Sequence, residues 1–144
     1  TNGTPLFRKF ASFPYFFVGG FVNLSILTNK IVELLNRSDV YTIFLACAGQ
    51  DNNFAFEDAL FCGNLIDILI TQLSEEELKL NDASLASLEM YLLHKSDLIS
   101  FVKTTNHALN LIQNNFEMDI DFAFQRDTTP IIPTFNGLSI VPLR

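Results

Sequence analysis

Hydrophobic residues follow two kinds of spacing in the first half of the chain. Short apolar runs bounded by turn residues indicate buried strands, first at residues 16–18 and then, as a β-branched and aromatic run, at residues 41–47. Between them, Asn23 is a plausible N-cap for a helix whose apolar face repeats at intervals of three and four: Leu24, Leu27, Ile31 and Leu35. A long helix is predicted from about Phe54 to Leu73. Because apolar residues cover nearly its whole circumference, we expect it to be central.

The second half is predicted to be mostly helical up to a terminal hairpin. Helices are expected from Asn81 or Asp82 through His94, from Ser96 or Asp97 toward Lys103, and over roughly residues 106–114. The first of these should direct three leucines inward: Leu85, Leu88 and Leu92. Asn136-Gly137, between two β-rich runs, predicts a hairpin with a two-residue type I′ turn.

Strand and helix predictions alternate along the chain, and this order sets the expected fold class. Pro5 is tolerated at the start of a helix, so a short helix is also predicted from Leu6 to Phe10. We therefore expect an α/β fold, with a mixed β-sheet flanked by helices and a C-terminal β-hairpin. The length of 144 residues favours a single domain over residues 1–144.

Composition narrows the possible partners and the compartment. The chain is 49% hydrophobic, with 15 Phe and a formal charge of -7, so it should be globular and should repel nucleic acid. Its longest apolar stretch, residues 13–22, contains Pro and Gly and is too short for a membrane span. No secretory signal is recognisable at the start. The two cysteines, Cys47 and Cys62, are expected to remain thiols in a reducing cytoplasm.

Three junctions between predicted elements could bind an anion, because unpaired N–H groups meet the helix dipole there. The first is Thr1-Asn2-Gly3-Thr4, which could equally be a capped turn. The second is Gly19-Gly20 with Asn23, whose side chain could bind a ligand or cap its helix. The third joins Cys47-Ala48-Gly49 to Glu57 and Asp58, at the start of the long helix.

The third junction is open to more than one interpretation. Glu57 and Asp58 could simply stabilise the helix start electrostatically, or they could hold Mg²⁺, which takes one or two protein carboxylates with phosphate and water. Cys47 at a strand end could be a nucleophile, but this chemistry needs a histidine base. The chain has two histidines, His94 and His107, and neither has a local connection to Cys47.

Taken in order, these segments resemble the 2-phosphosulfolactate phosphatase family. The resemblance covers nearly the whole chain and rests on Thr1-Asn2-Gly3-Thr4, Gly20-Phe21-Val22-Asn23, Cys47-Ala48-Gly49 and Phe54-Ala55-Phe56-Glu57-Asp58, with Gly63, Asp82-Ala83-Ser84, Asp119-Ile120 and Ile132-Pro133 beyond them. Family proteins are longer, and T-N-G-T lies in their interior. The resemblance therefore implies that this chain corresponds to the C-terminal part, without the amino-terminal segment and its Asp and Arg residues.

The resemblance implies a Mg²⁺-dependent phosphatase that hydrolyses 2-phospho-3-sulfolactate to sulfolactate and phosphate, on the route to coenzyme M. It implies catalytic and metal-binding roles for Glu57 and Asp58. Phosphate and substrate contacts are implied for Thr1, Asn2, Gly3, Thr4, Arg8, Asn23, Cys47 and Gly49, with Arg8 or Arg126 near the sulfonate. Glu57 and Asp58 should then share one site with Gly3.

Two departures keep other functions open. Pro5 stands where the family carries Arg, and Asp51-Asn52-Asn53 replaces its small residues after C-A-G. A catalytically degenerate or truncated relative that binds a small anion is therefore the alternative, and a cysteine-dependent hydrolase is a third hypothesis. Two questions stay open at this stage. One is which of Asp51, Glu57 and Asp58 would be a metal ligand and which the general base, and the other is whether the protein is a homo-oligomer.

Overall fold

Helices dominate the computed structural model, which describes residues 3–37, 42–51, 53–73 and 78–143. The helices are α1 (Thr4–Lys9), α2 (Leu24–Asn36), α3 (Phe56–Gln72), α4 (Asp82–His94), α5 (Leu98–Val102), α6 (Asn106–Gln113) and α7 (Glu117–Ala123), and a 3₁₀ turn (Phe21–Asn23) leads into α2. Two short strands, β1 (Pro133–Phe135) and β2 (Ile140–Pro142), form an antiparallel pair. The predicted helices and hairpin are present, whereas α7 was not predicted.

Side-chain caps explain where the later helices begin. The Asn81 side chain accepts a hydrogen bond from the Ser84 amide (2.8 Å) and so satisfies a free N–H group at the start of α4. Asp97 and Thr105 cap α5 and α6 in the same way. Asn81 and Asp97 are thus the caps that the sequence predicted.

The long helix α3 is central, as its composition predicted. It packs against α4 on one side and α2 on the other. Leu60 of α3 belongs to one core cluster, with Phe21 and Tyr91, while Leu65 belongs to a second, with Leu27 among others. Burial on both sides explains why this helix has no polar stripe.

The inner face of α4 differs from the one predicted. Leu88 is buried, but Leu85 is 49% exposed and Leu92 is 36% exposed, and the second buried position is Tyr91. The inner face predicted from the spacing of the leucines was wrong, because Tyr91, three positions after Leu88, faces α3 in place of Leu85 and Leu92.

The flanked mixed sheet is not confirmed. Of the predicted strand 41–47 the structure describes residues 42–47, and these form no strand. At the other predicted strand, residues 16–18, only Phe17 forms an isolated bridge, with Thr134. A β-prone run becomes a strand only where a neighbour completes its hydrogen bonds, so local propensity was insufficient. The sheet that the structure does contain, within its described ranges, is the two-stranded hairpin.

The hairpin turn is also of a different kind. Phe135 pairs with Ile140, so four residues form the loop rather than two. Gly137 has a positive φ of 93°, but Asn136 does not share that conformation, as a type I′ turn would require. Instead the Asn136 side chain accepts hydrogen bonds from the amides of Leu138 (3.0 Å) and Ser139 (2.9 Å).

The start of α2 is fixed by Asp127, which sequence reasoning missed, while Asn23 makes contacts other than the predicted helix cap. Asp127 accepts hydrogen bonds from the Ser25 amide (2.7 Å) and hydroxyl (2.6 Å), so a carboxylate already occupies this helix N-terminus. Asn23 stands at the N-cap position but makes no capping bond. Its side chain accepts from the Gly20 amide (2.9 Å) and donates to the carbonyls of Val18 (3.1 Å) and Ile131 (3.0 Å).

Asn23→Ala should therefore destabilise the fold. Asn23 is only 3% exposed, and its loss leaves three backbone groups without their partner, which should lower the free energy of unfolding by about 2–4 kcal/mol. Asn36→Ala, at the exposed last position of α2, is the matched control and should change it by less than about 0.5 kcal/mol. Urea denaturation measures both, and equal small effects would contradict a structural role for Asn23.

In the ranges that the structure describes, no helix has the length and apolar character needed to cross a bilayer.

Candidate functional site

A cavity of about 670 Å³ lies between α1, the loop that follows it, the segment 42–48 and the start of α3. Its walls are mainly aromatic and aliphatic. Phe7 packs against Phe16 (5.1 Å between ring centroids) and Phe135 (5.4 Å), and Phe13 packs against Phe44 (5.3 Å). The many phenylalanines of the chain thus shape a concave surface as well as a core.

Gly3, Glu57 and Asp58 all line this one cavity, as the sequence predicted for the first and third junctions. Glu57 and Asp58 occupy the first turn of α3, where the helix dipole favours negative charge. They are the only charged residues among those described around the cavity. Thr1 and Asn2, which belong to the same predicted junction, lie outside the described residues.

Asp58 holds the loop that carries the C-A-G motif. Its Oδ2 accepts a hydrogen bond from the Gly49 amide at 2.8 Å. Gly49 has a positive φ of 69°, and a Cβ there would lie 2.6 Å from the Asn53 carbonyl oxygen, so the tight turn requires glycine. The backbones of Gln50 and Asn53 close the turn with two mutual hydrogen bonds. Asp51 is exposed beside them, and Asn52 lies outside the described residues.

Glu57 has a partner that sequence reasoning missed. Its Oε1 is in close hydrogen-bonding contact with Nδ1 of His107, on α6. Both side chains are partly exposed. Such a contact fixes the orientation of the carboxylate and adds a group that can donate or accept a proton.

Cys47 and Cys62 meet at the cavity wall as free thiols, with their sulfur atoms 3.7 Å apart. The hydrogen bond from Cys62 lowers the pKa of Cys47, against the opposing effects of burial and the Asp58 charge. The same contact, together with burial, raises the pKa of Cys62. Cys47 is thus the thiol of the pair that ionises first.

The cysteine hydrolase hypothesis finds no support in this geometry. His107 contacts Glu57, and His94 stacks on Phe101 with 3.6 Å between ring centroids. Cys47 therefore has no histidine base among the contacts that the described residues make.

Several residues predicted for the site lie elsewhere. Arg8 is exposed on α1, and neither Arg8, Thr4 nor Gly49 lines the cavity. Arg126 donates to the Asn64 side-chain oxygen (3.0 Å) and the Tyr91 hydroxyl (3.1 Å), and it does not line the cavity, so its contact with the sulfonate stays a prediction. Asn23 is occupied with backbone groups, as described above. The cavity thus gathers Gly3, Cys47, Glu57 and Asp58 from the predicted set.

The two carboxylates form a donor set that suits Mg²⁺. This ion takes one or two protein carboxylates and completes its shell with water and substrate phosphate. Each carboxylate uses one oxygen in the contacts above, to the Gly49 amide or to His107. In the described part of the chain no group of three or more His, Cys, Asp or Glu residues could hold a metal, so a cation here would also need water or phosphate ligands.

Comparison with known proteins identifies the family. A sequence model described as 2-phosphosulpholactate phosphatase matches residues 1–137. A probable 2-phosphosulfolactate phosphatase of Caldicellulosiruptor saccharolyticus is 29% identical over 140 residues, which cover 97% of this chain and 57% of that protein. Proteins with the same description from Caldanaerobacter subterraneus subsp. tengcongensis (28%; 96% and 54% covered) and a Synechococcus species (27%; 99% and 53% covered) are also similar.

The chain spans little more than half the length of these relatives. The matched region includes the T-N-G-T, C-A-G and Glu57-Asp58 segments. The resemblance seen in the sequence is thereby confirmed, and the chain belongs to the 2-phosphosulfolactate phosphatase family.

Proposed function

We propose that this chain carries the metal-binding half of a Mg²⁺-dependent phosphatase that hydrolyses 2-phospho-3-sulfolactate to sulfolactate and phosphate. Family membership supports the reaction class, a phosphoric monoester hydrolysis. The same substrate would give the protein a role in coenzyme M biosynthesis. Because the chain spans only part of its relatives, the activity is proposed for the complete protein.

The charge of the cavity is the observation that carries this proposal. The charged groups among its described lining residues are Glu57 and Asp58, both negative. A phosphate dianion brought against two carboxylates would be repelled, the more so because the apolar walls weaken dielectric screening. We therefore infer that Glu57 and Asp58 would hold a divalent cation, which would neutralise the charge of the phosphate.

The residues of the cavity then have distinct tasks. Glu57 and Asp58 would hold the cation, and either could accept a proton from the water that attacks phosphorus. His107 orients Glu57, and the Gly49 amide orients Asp58, so both carboxylates are held in place before substrate binds. When bound, Mg²⁺ would neutralise phosphate oxygens, which is much of what monoester cleavage requires.

The remaining contacts are carried over as predictions. Thr1, Asn2, Gly3 and Thr4 would bind the phosphate; Gly3 supports this by lining the cavity, whereas Thr4 does not line it. Arg8 and the backbone at residues 47–49 stay predicted substrate contacts, although neither Arg8 nor Gly49 lines the cavity. A cytoplasmic location, a small phosphorylated acid as ligand and the absence of nucleic-acid binding also stay predictions, and the oligomeric state stays open.

A phosphate-release assay tests the proposal. The complete protein, incubated with 2-phospho-3-sulfolactate and MgCl₂, should liberate inorganic phosphate, and excess EDTA should stop the reaction until MgCl₂ is restored. The 144-residue chain assayed beside it shows whether this portion suffices. Phosphate release that continues unchanged in EDTA would contradict the role of the cation.

One specific observation favours a second function, that of a catalytically inactive anion-binding relative. By the resemblance, Pro5 stands where the family carries Arg, so one cation that would hold the reacting phosphate is missing from this chain. Under this alternative the complete protein would bind phosphosulfolactate in isothermal titration but release no phosphate.

A further inference from the structure

The two cysteines of the chain are in contact on the cavity wall, although fifteen positions separate them. Cys47 belongs to the segment 42–49, Cys62 belongs to α3, and their Sγ atoms are 3.7 Å apart. We propose that Cys47 and Cys62 form a reversible disulfide and thereby a redox-sensitive modification site beside Glu57 and Asp58.

The geometry allows the bond with a small displacement. A disulfide requires sulfur atoms about 2.05 Å apart, so the two must approach by roughly 1.7 Å. Cys62 is 8% exposed and is held by the packing of α3. Cys47 is exposed, in a segment where the described residues form neither helix nor strand. Cys47 is therefore the residue that would move.

Each thiol suits one of the two chemical steps, with a hydroperoxide as the oxidant. The Cys47 thiolate attacks the peroxide, an S–O bond forms, the O–O bond breaks, and the departing oxygen leaves as water after taking a proton. The Cys62 sulfur then attacks the resulting sulfenic acid. An S–S bond forms, the S–O bond breaks, and a second water leaves with the Cys62 proton. Two thiols lose two electrons and one H₂O₂ becomes two waters.

The accessible thiol is also the more acidic one, which supports this order of steps. The hydrogen bond from Cys62 lowers the pKa of Cys47, and the thiolate is the form that reacts with peroxide. Cys62, with its raised pKa, keeps its proton until it acts as the resolving thiol.

Formation of the bond would reach the candidate site directly. Cys47 precedes Gly49 by two residues, and the Gly49 amide holds Asp58 at 2.8 Å. Drawing Cys47 onto α3 would move the backbone segment whose Gly49 amide fixes this carboxylate. On the proposed function, the oxidised protein should lose most of its phosphatase activity and recover it in dithiothreitol.

The sequence around the cysteines makes the bond simple to detect. No Lys or Arg lies between Arg37 and Lys79, so trypsin leaves both cysteines in one peptide, residues 38–79. Treatment of the protein with H₂O₂, then iodoacetamide and trypsin, should give this peptide two hydrogens lighter and without carbamidomethyl groups. After dithiothreitol it should take up two such groups. Dimedone should label Cys47 in Cys62→Ser and nothing in Cys47→Ser.

Each other outcome overturns the proposal. The proposal is wrong if the oxidised wild-type peptide still takes up two carbamidomethyl groups. It is also wrong if the peptide carries a sulfinic acid without the disulfide, or if a non-reducing gel shows a covalent dimer. This readout uses wild-type protein alone, so a misfolded variant does not affect it. Activity is measured separately, as the rate of phosphate release by the oxidised protein divided by that of the untreated protein. We expect oxidation to lower this rate tenfold or more in wild type but not in Cys62→Ser. If no state releases phosphate, the proposed function fails while the disulfide test stands.

Discussion

Asp58→Asn should lower kcat for phosphate release about 10²–10³-fold, a loss of the size seen when one preorganised oxyanion-hole donor is removed from an enzyme. Glu57→Gln should act similarly. Both substitutions keep the shape of the side chain and remove the charge that would hold the cation. The loss of helix-start electrostatics should cost stability only about 0.3–1 kcal/mol each. Initial rates at saturating MgCl₂ and urea denaturation measure the two effects.

Asp67→Asn is the matched control for these variants. Asp67 lies on the same helix α3, and its contact with the Lys95 ammonium is long (3.9 Å) and partly exposed. Such a pair contributes little to stability, about 0–1 kcal/mol, and Asp67 does not line the cavity. Activity should therefore be unchanged. If Asp67→Asn lowers kcat as much as Asp58→Asn does, the loss of activity comes from the changed net charge of α3 and not from the loss of a carboxylate in the site.

All the helices except α7 were predictable because each of them carries its own local signal. The apolar circumference of α3 indicated a central position, and Asn81 marked the start of α4. The helix α7 (Glu117–Ala123) has no capping side chain at Phe116 and is short, so it gave no comparable signal. Residues 42–47 gave a strong strand signal, but a strand also depends on a partner that local sequence does not describe.

The residues alone predicted the candidate site where they are close in sequence, whereas the place of Gly3 on the same cavity was expected from the family resemblance. Cys47 and Asp58 flank one short loop, so their proximity followed from the order of elements. His107 is fifty positions from Glu57, and it reaches that residue because its neighbour Ala108 packs in the same core cluster as Leu60 of α3. Likewise, Arg126 was expected at the substrate but pairs with Asn64, a contact across 62 positions. Tertiary packing decides such contacts, and composition does not reveal it.

The close approach of α3 and α4 depends on one residue, and Gly63→Ala should therefore lower the free energy of unfolding by about 2–4 kcal/mol. A Cβ at this position would lie 2.1 Å from the Ser87 carbonyl oxygen and 2.6 Å from Cβ of Tyr91. Backbone of α4 cannot yield as a flexible side chain could, so the two helices must separate. The better helix propensity of alanine recovers only about 1 kcal/mol of this cost.

Gly20→Ala separates this packing effect from the general consequences of losing a glycine. Gly20 has an extended backbone (φ −160°), and a Cβ there would come no closer than 3.8 Å to Val22. Gly20→Ala should change the free energy of unfolding by no more than about 1 kcal/mol. Alanine lowers the conformational entropy of the unfolded chain, and this gain offsets any small strain in the folded state. Urea denaturation with an unchanged m-value would report stability for both variants. Similar midpoints for Gly63→Ala and wild type would mean that α3 and α4 are not packed this closely, and Tyr91 would then lose its place in the core.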